Sequence, residues 1–248
     1  MIIGSNIIRH EKVSSTNSVA AVMCREGNLP EGTVITAEWQ ESGKGQQGNT
    51  WESAPAKNLL FSIILYPTSI KADGQFYILQ VIALGVYDAL AGLTGDVKIK
   101  WPNDIYVRDD KIAGILIENS VMGNSIKNSI AGIGINVNQD KFLSDAPNPV
   151  SLKIITGSDY DRDLIFRSVC QKIEARYEML KSGKKESLMA DYKGALYRML
   201  RWHRFRDSGG EFTGMIEDVT PSGLLVVRRK EGIVKQYAFK EIEYLINN

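Results

Sequence analysis

The stretch KWPNDIYVRDDKIAGILIE, residues 100–118, determines how the rest of this chain is interpreted. Trp101 precedes a proline, and a residue in that position is kept out of the helical region, which predicts an extended backbone there. Asn103 and Asp104 then supply an amide and a carboxylate at the junction with the next strand. A turn with a structural tryptophan is the alternative that this segment, taken alone, leaves open.

The second half of the stretch predicts a β-hairpin. Residues 104–107 and 111–119 are β-rich, and the sequence RDDK between them, at 108–111, is typical of a hairpin loop. Lys111 starts the second strand, where Gly114 permits another group to approach the backbone closely. A solvated lysine at the end of a hairpin is the alternative interpretation of Lys111.

An earlier loop, ESGKGQQGNTW at residues 41–51, contains three glycines in the spacing G-x-G-x-x-G. A dinucleotide-binding turn with this spacing must open directly into a helix, but residues 49–58, NTWESAPAKN, are a poor helix start. We therefore reject an NAD site. A plain flexible loop and a loop that orders over an anionic ligand both remain, with Lys44 adding charge and Trp51 enclosing the site.

Composition excludes several classes of protein. The chain has 248 residues, with 30 Lys and Arg against 29 Asp and Glu, so its net charge of +1 does not indicate a nucleic-acid-binding protein. The two cysteines, Cys24 and Cys170, lie in apolar helical patterns and are expected to be buried free thiols, and the two histidines have no zinc-ligand spacing. The start does not resemble a signal peptide, and the longest apolar stretch, 58–67, is too short to span a bilayer. A cytoplasmic protein without membrane contact is expected.

Mixed strands and helices without a regular βαβ rhythm predict an α+β fold. The patterns predict strands near 33–40, 58–66, 97–104 and 129–138, and helices near 16–26 (capped by Ser14 or Ser15), 74–93, 161–182 and 185–200. From residue 201 onward, short β-like segments alternate with turns, which predicts a small β-barrel. We therefore divide the chain into a ligand-binding domain at 1–197 and a barrel at 198–248.

Four motifs occur in a specific order: SSTN at 14–17, EWQESGKGQQGNTW at 38–51, KWPND with KIAGILIE at 100–118, and GIGINVN at 132–138. This set resembles the biotin protein ligases. The resemblance implies a mixed β-sheet with flanking helices, akin to class II aminoacyl-tRNA synthetases, followed by an SH3-like β-barrel. It also implies that biotin and Mg-ATP form biotinyl-5′-AMP, and that a lysine of a biotin carboxyl carrier protein, such as the acetyl-CoA carboxylase subunit, then takes the biotin.

The resemblance assigns roles to individual residues. Lys111 is expected to contact both the biotin carboxylate and the α-phosphate of ATP and to be the main electrostatic catalyst. Biotin contacts are implied for Ser15, Thr16, Asn17, Gln40, Gly43, Lys44, Gly45, Gln46, Lys111, Gly114, Ile115 and Gly132. ATP or adenylate contacts are implied for Lys44, Gln46, Trp51, Lys100, Asn103, Asp104, Lys111 and Asn136, with Asp104 as the Mg²⁺ contact. Plain sheet packing is the alternative for Gly114, Ile115, Gly132 and Asn136.

Two departures from the family pattern change the expectations. Many bacterial members carry a DNA-binding domain ahead of the catalytic part, but only about 13 residues precede SSTN here, so repression of biotin genes is not expected. The family loop reads G-R-G-R-x-G-R, whereas this chain has GKGQQGN, and a loop with fewer cations is expected to retain biotinyl-AMP less tightly. Family members often form dimers through a sheet edge, and the sequence leaves monomer and dimer open.

Three other functions compete with this interpretation. An octanoyltransferase needs a nucleophilic thiol near the lysine, but both cysteines lie in helix patterns. A lipoate ligase is not expected to carry KWPND. A biotin-binding module without catalysis would suit the depleted loop, although Lys111 and the intact KWPND argue against it.

Overall fold

A seven-stranded sheet forms the centre of the molecule. The computed structural model describes residues 2–27, 29–45, 49–144 and 146–246. The strands of this sheet are β1 (Ile7–Val13), β2 (Val34–Gln40), β3 (Leu59–Leu65), β4 (Val97–Lys100), β5 (Asp104–Val107), β6 (Asp110–Met122) and β7 (Ser125–Ile135). Their order across the sheet is β1-β2-β3-β7-β6-β5-β4, in which only β1 and β2 pair in parallel. The expected α+β class with a mixed sheet is therefore confirmed.

Helices cover both faces of this sheet. They are α1 (Thr16–Glu26), α2 (Gln75–Ala91), α3 (Leu152–Thr156), α4 (Arg162–Lys181) and α5 (Lys185–Ala195). Every residue of β3 is buried, because helices cover both faces of the strand: Ile64 joins the small apolar cluster beneath α1, and Ile63 the large one with α2 and α4.

Helix α2 is the most apolar helix of the chain. By length and composition alone, residues 72–91 would be able to cross a membrane. Most of this segment is buried, and α2 packs against α4, α5 and the sheet, as the core helix of a globular protein does.

A second sheet lies C-terminal to the helices. It consists of β8 (Trp202–Asp207), β9 (Gly210–Val219), β10 (Leu225–Arg229), β11 (Val234–Tyr237) and β12 (Glu243–Tyr244), all antiparallel, in the order β11-β10-β9-β8-β12. Its apolar side chains continue the main core rather than forming a separate one. Closure of this sheet into an SH3-like barrel and the division into two domains near residue 197 remain predictions.

The chain between the helices and this second sheet departs from the expected pattern. The helix predicted to reach residue 200 ends at Ala195, where Leu196 turns to extended backbone with ψ 137°. Arg198 and Leu200 then take positive φ angles of 62° and 55°, which a helix cannot accommodate. Strand β1 and helix α3 were not predicted, and the other helices and strands lie within a few residues of their expected positions.

Candidate active site

One cavity on the sheet collects most of the residues implicated by the sequence. The predicted residues that line it are Ser15, Thr16, Asn17, Gln40, Lys44, Gly45, Trp51, Lys100, Asn103, Asp104, Lys111, Gly114, Ile115 and Gly132. Gly43 lies beside it without lining it, Asn136 lines the adjoining cavity, and Gln46 lies outside the described residues. Residues up to 117 positions apart in the chain are thus brought to one place.

The first end of the cavity is a buried polar cluster at the start of α1. The Oε1 atom of Gln40 accepts the Thr16 backbone N–H at 2.8 Å and lies 3.1 Å from the Thr16 hydroxyl. Gln40 therefore satisfies an N–H that helix geometry leaves unpaired, and Ser15, at the N-cap position, makes no capping bond with its side chain. The helix begins where the sequence predicts, but the side chain that bonds its first N–H is Gln40 of β2 and not Ser14 or Ser15.

Asn17 connects this cluster to two further strands. Its Nδ2 donates to Glu118 Oε2 at 2.7 Å, and its Oδ1 lies 2.6 Å from the Ser62 hydroxyl oxygen. Ser62 is fully buried and also lies 2.7 Å from the Thr16 hydroxyl oxygen. Neither Ser62 nor Glu118 was predicted from the sequence, because Ser62 lies inside an apolar strand and Glu118 at an exposed strand position.

Glycine is required on the floor of the cavity. A Cβ at Gly132 would lie 2.3 Å from Asn17 Oδ1, and one at Gly134 would lie 2.5 Å from Trp51 Cε2. Gly134 pairs with Gly114 across β6 and β7, and a Cβ at Gly114 would lie 2.8 Å from Trp51 Cζ3. The Trp51 indole therefore lies against two bare backbones, which leaves its buried Nε1 without a partner among the described residues.

A β-bulge turns Lys111 toward the cavity. Ile105 pairs with Ala113 but Tyr106 pairs with Lys111, so Ile112 is an extra residue in β6. In a regular strand Lys111 and Gly114, three positions apart, would face opposite sides of the sheet. With the bulge both line the same cavity, and the Lys111 Nζ lies 3.4 Å from the position of a Cβ at Gly114.

Lys111 and Asp104 form an ion pair across the base of this hairpin. Their Nζ and Oδ1 atoms are 2.7 Å apart, and the two side chains are 29% and 21% exposed. The Lys111 Nζ also lies 5.6 Å from the centre of the Trp51 ring. The cation is therefore partly shielded from water, yet accessible from the cavity.

Lys100 is a second cation near this ion pair. Its Nζ lies 5.3 Å from the Tyr106 ring centre and 5.1 Å from that of Tyr244. Burial lowers the pKa of Lys100, and the neighbouring Lys111 lowers it further, while the Asp104 carboxylate opposes the change. An anion bound here would favour the charged form of Lys100 and so oppose this lowering of its pKa.

Asn103 is buried and serves the backbone. Its Nδ2 donates to the carbonyl of Ile115 on β6, so the amide joins the start of β5 to the floor of the cavity. Trp101, beside it, donates from Nε1 to the Gly223 carbonyl at 3.0 Å and packs near Phe239. The C-terminal sheet thereby supports the KWPND turn, which includes a cis peptide bond between Trp101 and Pro102.

The glycine loop begins as a narrow two-stranded turn. Lys44 and Thr50 form an isolated bridge, the Gly45 N–H donates to the Asn49 carbonyl at 2.7 Å, and the Trp51 N–H donates to the Gly43 carbonyl at 2.8 Å. A Cβ at Gly43 would lie 2.6 Å from the Trp51 carbonyl oxygen. Gly43 and Gly45 therefore allow the two arms of the turn to pack closely together. On the sequence alone, these glycines are explained instead by the approach of a ligand to the backbone.

A second, larger cavity adjoins the first. Trp51, Lys100, Asp104 and Lys111 line both of them. Asn136 lines the second cavity, where its Nδ2 donates to the Val150 carbonyl at 3.0 Å and its buried Oδ1 has no partner among the described residues. Further lining residues that the sequence did not indicate are Tyr106, Phe142, Pro147, Phe239 and Tyr244.

The acidic groups in this region are few. No group of three or more His, Cys, Asp or Glu side chains with the geometry of a metal site occurs in the part of the chain that the structure describes. Asp104 is the carboxylate that lines both cavities beside Lys111. One carboxylate suits a Mg²⁺ ion that takes its remaining ligands from water and substrate phosphates.

Comparisons with known proteins find similarity in both sequence and fold. Residues 10–136 match the biotin/lipoate A/B protein ligase family. The chain is 30% identical over 243 residues to the bifunctional ligase/repressor BirA of Bacillus spizizenii, covering 96% of this chain and 74% of that protein. It is 26% identical to the biotin–[acetyl-CoA-carboxylase] ligase of Mycobacterium tuberculosis, covering 86% and 80% of the two chains. The structure is similar to that of an Aquifex aeolicus biotin protein ligase in complex with biotin and ATP, with TM-score 0.80, 27% identity, and coverage of 96% and 98%.

Proposed function

The chain belongs to the biotin/lipoate A/B protein ligase family, and from this premise we propose that it is a biotin protein ligase. It activates biotin with Mg-ATP to biotinyl-5′-AMP and pyrophosphate, and then transfers biotin to a specific lysine of a biotin carboxyl carrier protein. Its relatives include proteins named as biotin–[acetyl-CoA-carboxylase] ligases, and its structural neighbours include ligases in complex with biotin and ATP.

The observation that carries the proposal is the position of Lys111 where two cavities join. The polar cluster of Thr16, Asn17 and Gln40 suits the ureido ring of biotin, at one end of the first cavity. The second cavity is larger and suits ATP. Since Lys111 lines both, a carboxylate from one side and an α-phosphate from the other would meet at its ammonium.

The first step joins two anions, and this sets the requirements on the protein. The biotin carboxylate attacks the α-phosphate and pyrophosphate leaves, so negative charge concentrates on the oxygens around phosphorus. Lys111 and Lys100 place two cations at this point without any rearrangement of solvent. Removal of one such prepositioned donor from a catalytic site typically costs about 3–4 kcal/mol of transition-state stabilisation.

The remaining residues of the cavity position the substrates. Trp51 lies against Gly114 and Gly134 and encloses the region between the two cavities. Asn136 offers an unpaired buried oxygen to a donor in the second cavity. Asp104 would hold Mg²⁺ together with phosphate oxygens, and the ion would neutralise the charge of the nucleotide. Lys44 and the loop to which it belongs would cover the adenylate.

The second step needs an acyl acceptor but no covalent enzyme intermediate. The uncharged amine of the carrier lysine attacks the carbonyl of biotinyl-AMP, and the amide C–N bond forms. The bond between that carbonyl carbon and the phosphate oxygen breaks, AMP leaves with its electron pair, and the amine loses a proton to solvent. Neither cysteine lines the two cavities, and burial raises the pKa of Cys170 to about 12 and also raises that of Cys24. A thiolate nucleophile of the kind that an octanoyltransferase uses is therefore not at the site.

Four further properties are proposals of the same kind. We expect a cytoplasmic enzyme that acts on a biotin carboxyl carrier protein and does not bind nucleic acid, in keeping with a net charge of +1. A homodimer through a sheet edge is compatible with the fold, because β1 and β4 are the edges of the large sheet. Sedimentation of the purified protein with and without biotin and ATP distinguishes monomer from dimer.

The experiment that tests the proposed function is pyrophosphate release. The protein is mixed with Mg-ATP and, in parallel, with biotin, lipoate or octanoate. A biotin protein ligase releases pyrophosphate with biotin and not with the other two acids. A lipoate ligase would respond to lipoate, and a biotin-binding module would bind biotin without releasing pyrophosphate.

A further inference from the structure

Two side-chain amides face the polar end of the cavity, and the orientation of each is determined by its neighbours. An amide offers an acceptor oxygen on one side and a donor nitrogen on the other, so its orientation determines what it can offer a ligand. Gln40 is held by the Thr16 backbone N–H, which can only donate, so Gln40 must present Oε1 to Thr16. Its Nε2 then lies on the other side, 3.1 Å from the position of a Cβ at Gly43.

The orientation of Asn17 is determined differently. One of its close partners, the Ser62 hydroxyl at 2.6 Å, can donate or accept and therefore permits either orientation of the amide. The Glu118 carboxylate, 2.7 Å from Asn17 Nδ2, can only accept. The Leu116 carbonyl also accepts from Nδ2, but at 3.4 Å it is a weak partner.

We propose that Glu118 is a positioning residue that fixes the amide of Asn17, so that Asn17 Oδ1 is offered as an acceptor to a ring N–H of the substrate. The proposal rests on the proposed function, whose substrate biotin carries a cyclic urea, in which N–H donors flank one carbonyl acceptor. The acceptor Asn17 Oδ1 and the donor Gln40 Nε2 are a complementary pair for that group. A flipped Asn17 would direct Nδ2 at a substrate N–H and leave two donors facing each other.

The location of Glu118 makes this role testable. The residue lies at an exposed position of β6, so its substitution leaves the core unchanged, whereas Asn17 and Ser62 are both buried. Asn17 Oδ1 lies directly over Gly132, on the floor of the cavity. The exposed Glu118 carboxylate therefore determines which atom of the buried Asn17 amide, the oxygen or the nitrogen, faces the cavity.

Three substitutions separate orientation from charge and from structure. Glu118→Gln keeps an acceptor oxygen for Asn17 Nδ2, Glu118→Ala removes it, and Glu118→Lys replaces it with a group that can only donate and so favours the flipped amide. The control is Ser120→Lys, which places a lysine two residues further along the same face of the strand and changes the net charge by one unit, as Glu118→Gln and Glu118→Ala also do. The first measurement is the Kd for biotin without nucleotide, by calorimetry.

We expect a graded loss of biotin affinity: within threefold for Glu118→Gln, about tenfold for Glu118→Ala, and about 30-fold or more for Glu118→Lys, each from disturbing a buried hydrogen bond. The KM for biotin should rise in the same order, while the kcat and the KM for ATP stay unchanged. Ser120→Lys should match the wild type. A purely structural role would instead alter all kinetic constants together.

The outcomes separate this inference from the proposed function. If the wild type neither binds biotin nor releases pyrophosphate with it, the proposed function fails. If the wild type is active and Glu118→Lys binds biotin as tightly as the wild type does, only the role of Glu118 is refuted. Equal losses in Glu118→Gln and Glu118→Ala would also refute it, because charge rather than hydrogen-bond polarity would then be responsible.

Discussion

Replacing Gly132 with alanine tests the polar end of the cavity directly. The added Cβ would lie 2.3 Å from Oδ1 and 2.9 Å from Cγ of Asn17, distances that packed atoms do not adopt. Asn17 would have to move by at least about 0.7 Å to relieve the contact. A movement of that size would lengthen its 2.6 Å contact with Ser62 and its 2.7 Å contact with Glu118 beyond good hydrogen-bonding distance.

The expected cost to binding comes from the displaced amide, because the two contacts within the protein are present with and without ligand. Leaving the buried N–H of biotin without its acceptor costs about 1–3 kcal/mol, so biotin binding should weaken by that amount. This corresponds to roughly a 5- to 150-fold increase in Kd. Calorimetric titration with biotin measures it, and thermal unfolding checks that the protein is folded.

Gly194→Ala provides the matched control. It makes the same change near the end of α5, where an added Cβ would meet nothing within 4 Å, so biotin binding should equal that of the wild type. A Gly132→Ala protein that is folded and binds biotin within threefold of wild-type affinity would refute the assignment of this cluster to the biotin ring.

Three further predictions concern other parts of the molecule. Because burial lowers the pKa of Lys100, the KM for ATP should begin to rise at a lower pH than the one at which an ordinary lysine loses its proton. In Lys100→Arg this rise in KM with pH should be absent, and identical pH profiles for the two proteins would contradict the prediction. Asp207 is 1% exposed, and although burial opposes ionisation, hydrogen bonds from the Gly209 N–H and the Tyr237 hydroxyl lower its pKa from 3.8 to about 2. Asp207→Asn should therefore lose about 2 kcal/mol of unfolding free energy at pH 7. A carboxylate whose pKa is lower in the folded state stabilises the protein above about pH 4 and no longer does so below about pH 2. Urea unfolding should therefore show that the difference in stability between the wild type and Asp207→Asn disappears as the pH falls through that interval, and a constant difference would refute the prediction. Gln46→Arg should slow the dissociation of biotinyl-AMP, and an unchanged off-rate would show that loop charge is irrelevant to its retention.

Residues that share a short motif could be predicted from the sequence. KWPND followed by K-x-A-G-I-L, together with SSTN and the glycine loop, indicated nearly all of the predicted residues that line the first cavity. Each motif taken alone left a structural alternative open, and it was the resemblance of the ordered set to the biotin protein ligases that singled these residues out.

Residues that contribute through the tertiary fold could not be predicted. Ser62 lies inside LLFSIIL, whose pattern indicates only a buried strand, and Glu118 resembles an ordinary exposed glutamate. Phe239 reaches both cavities from the turn between β11 and β12, far from KWPND in the chain. No local pattern encodes these contacts, since they arise only when distant strands pair.

Backbone irregularities were also missed. The bulge at Ile112 leaves the apolar pattern of β6 intact, so the sequence could not show that Lys111 and Gly114 share a face. The helix was predicted to reach residue 200 because LYRML, residues 196–200, keeps a helical spacing of apolar residues. It ends at Ala195, because Leu196 and Met199 form isolated bridges with β4 and β9 instead. Strand β1, IIRHEKV, was not predicted because it alternates poorly and its burial is only partial.

The central claim is that Lys111 brings carboxylate and α-phosphate together, and single-turnover formation of biotinyl-AMP tests it most directly. Lys111→Ala should form the adenylate about 10²–10³-fold more slowly than the wild type while retaining the wild-type melting temperature. Lys98→Ala, which removes another lysine of the same sheet outside both cavities, should react at the wild-type rate. Near-normal adenylate formation by a folded Lys111→Ala protein would contradict the account.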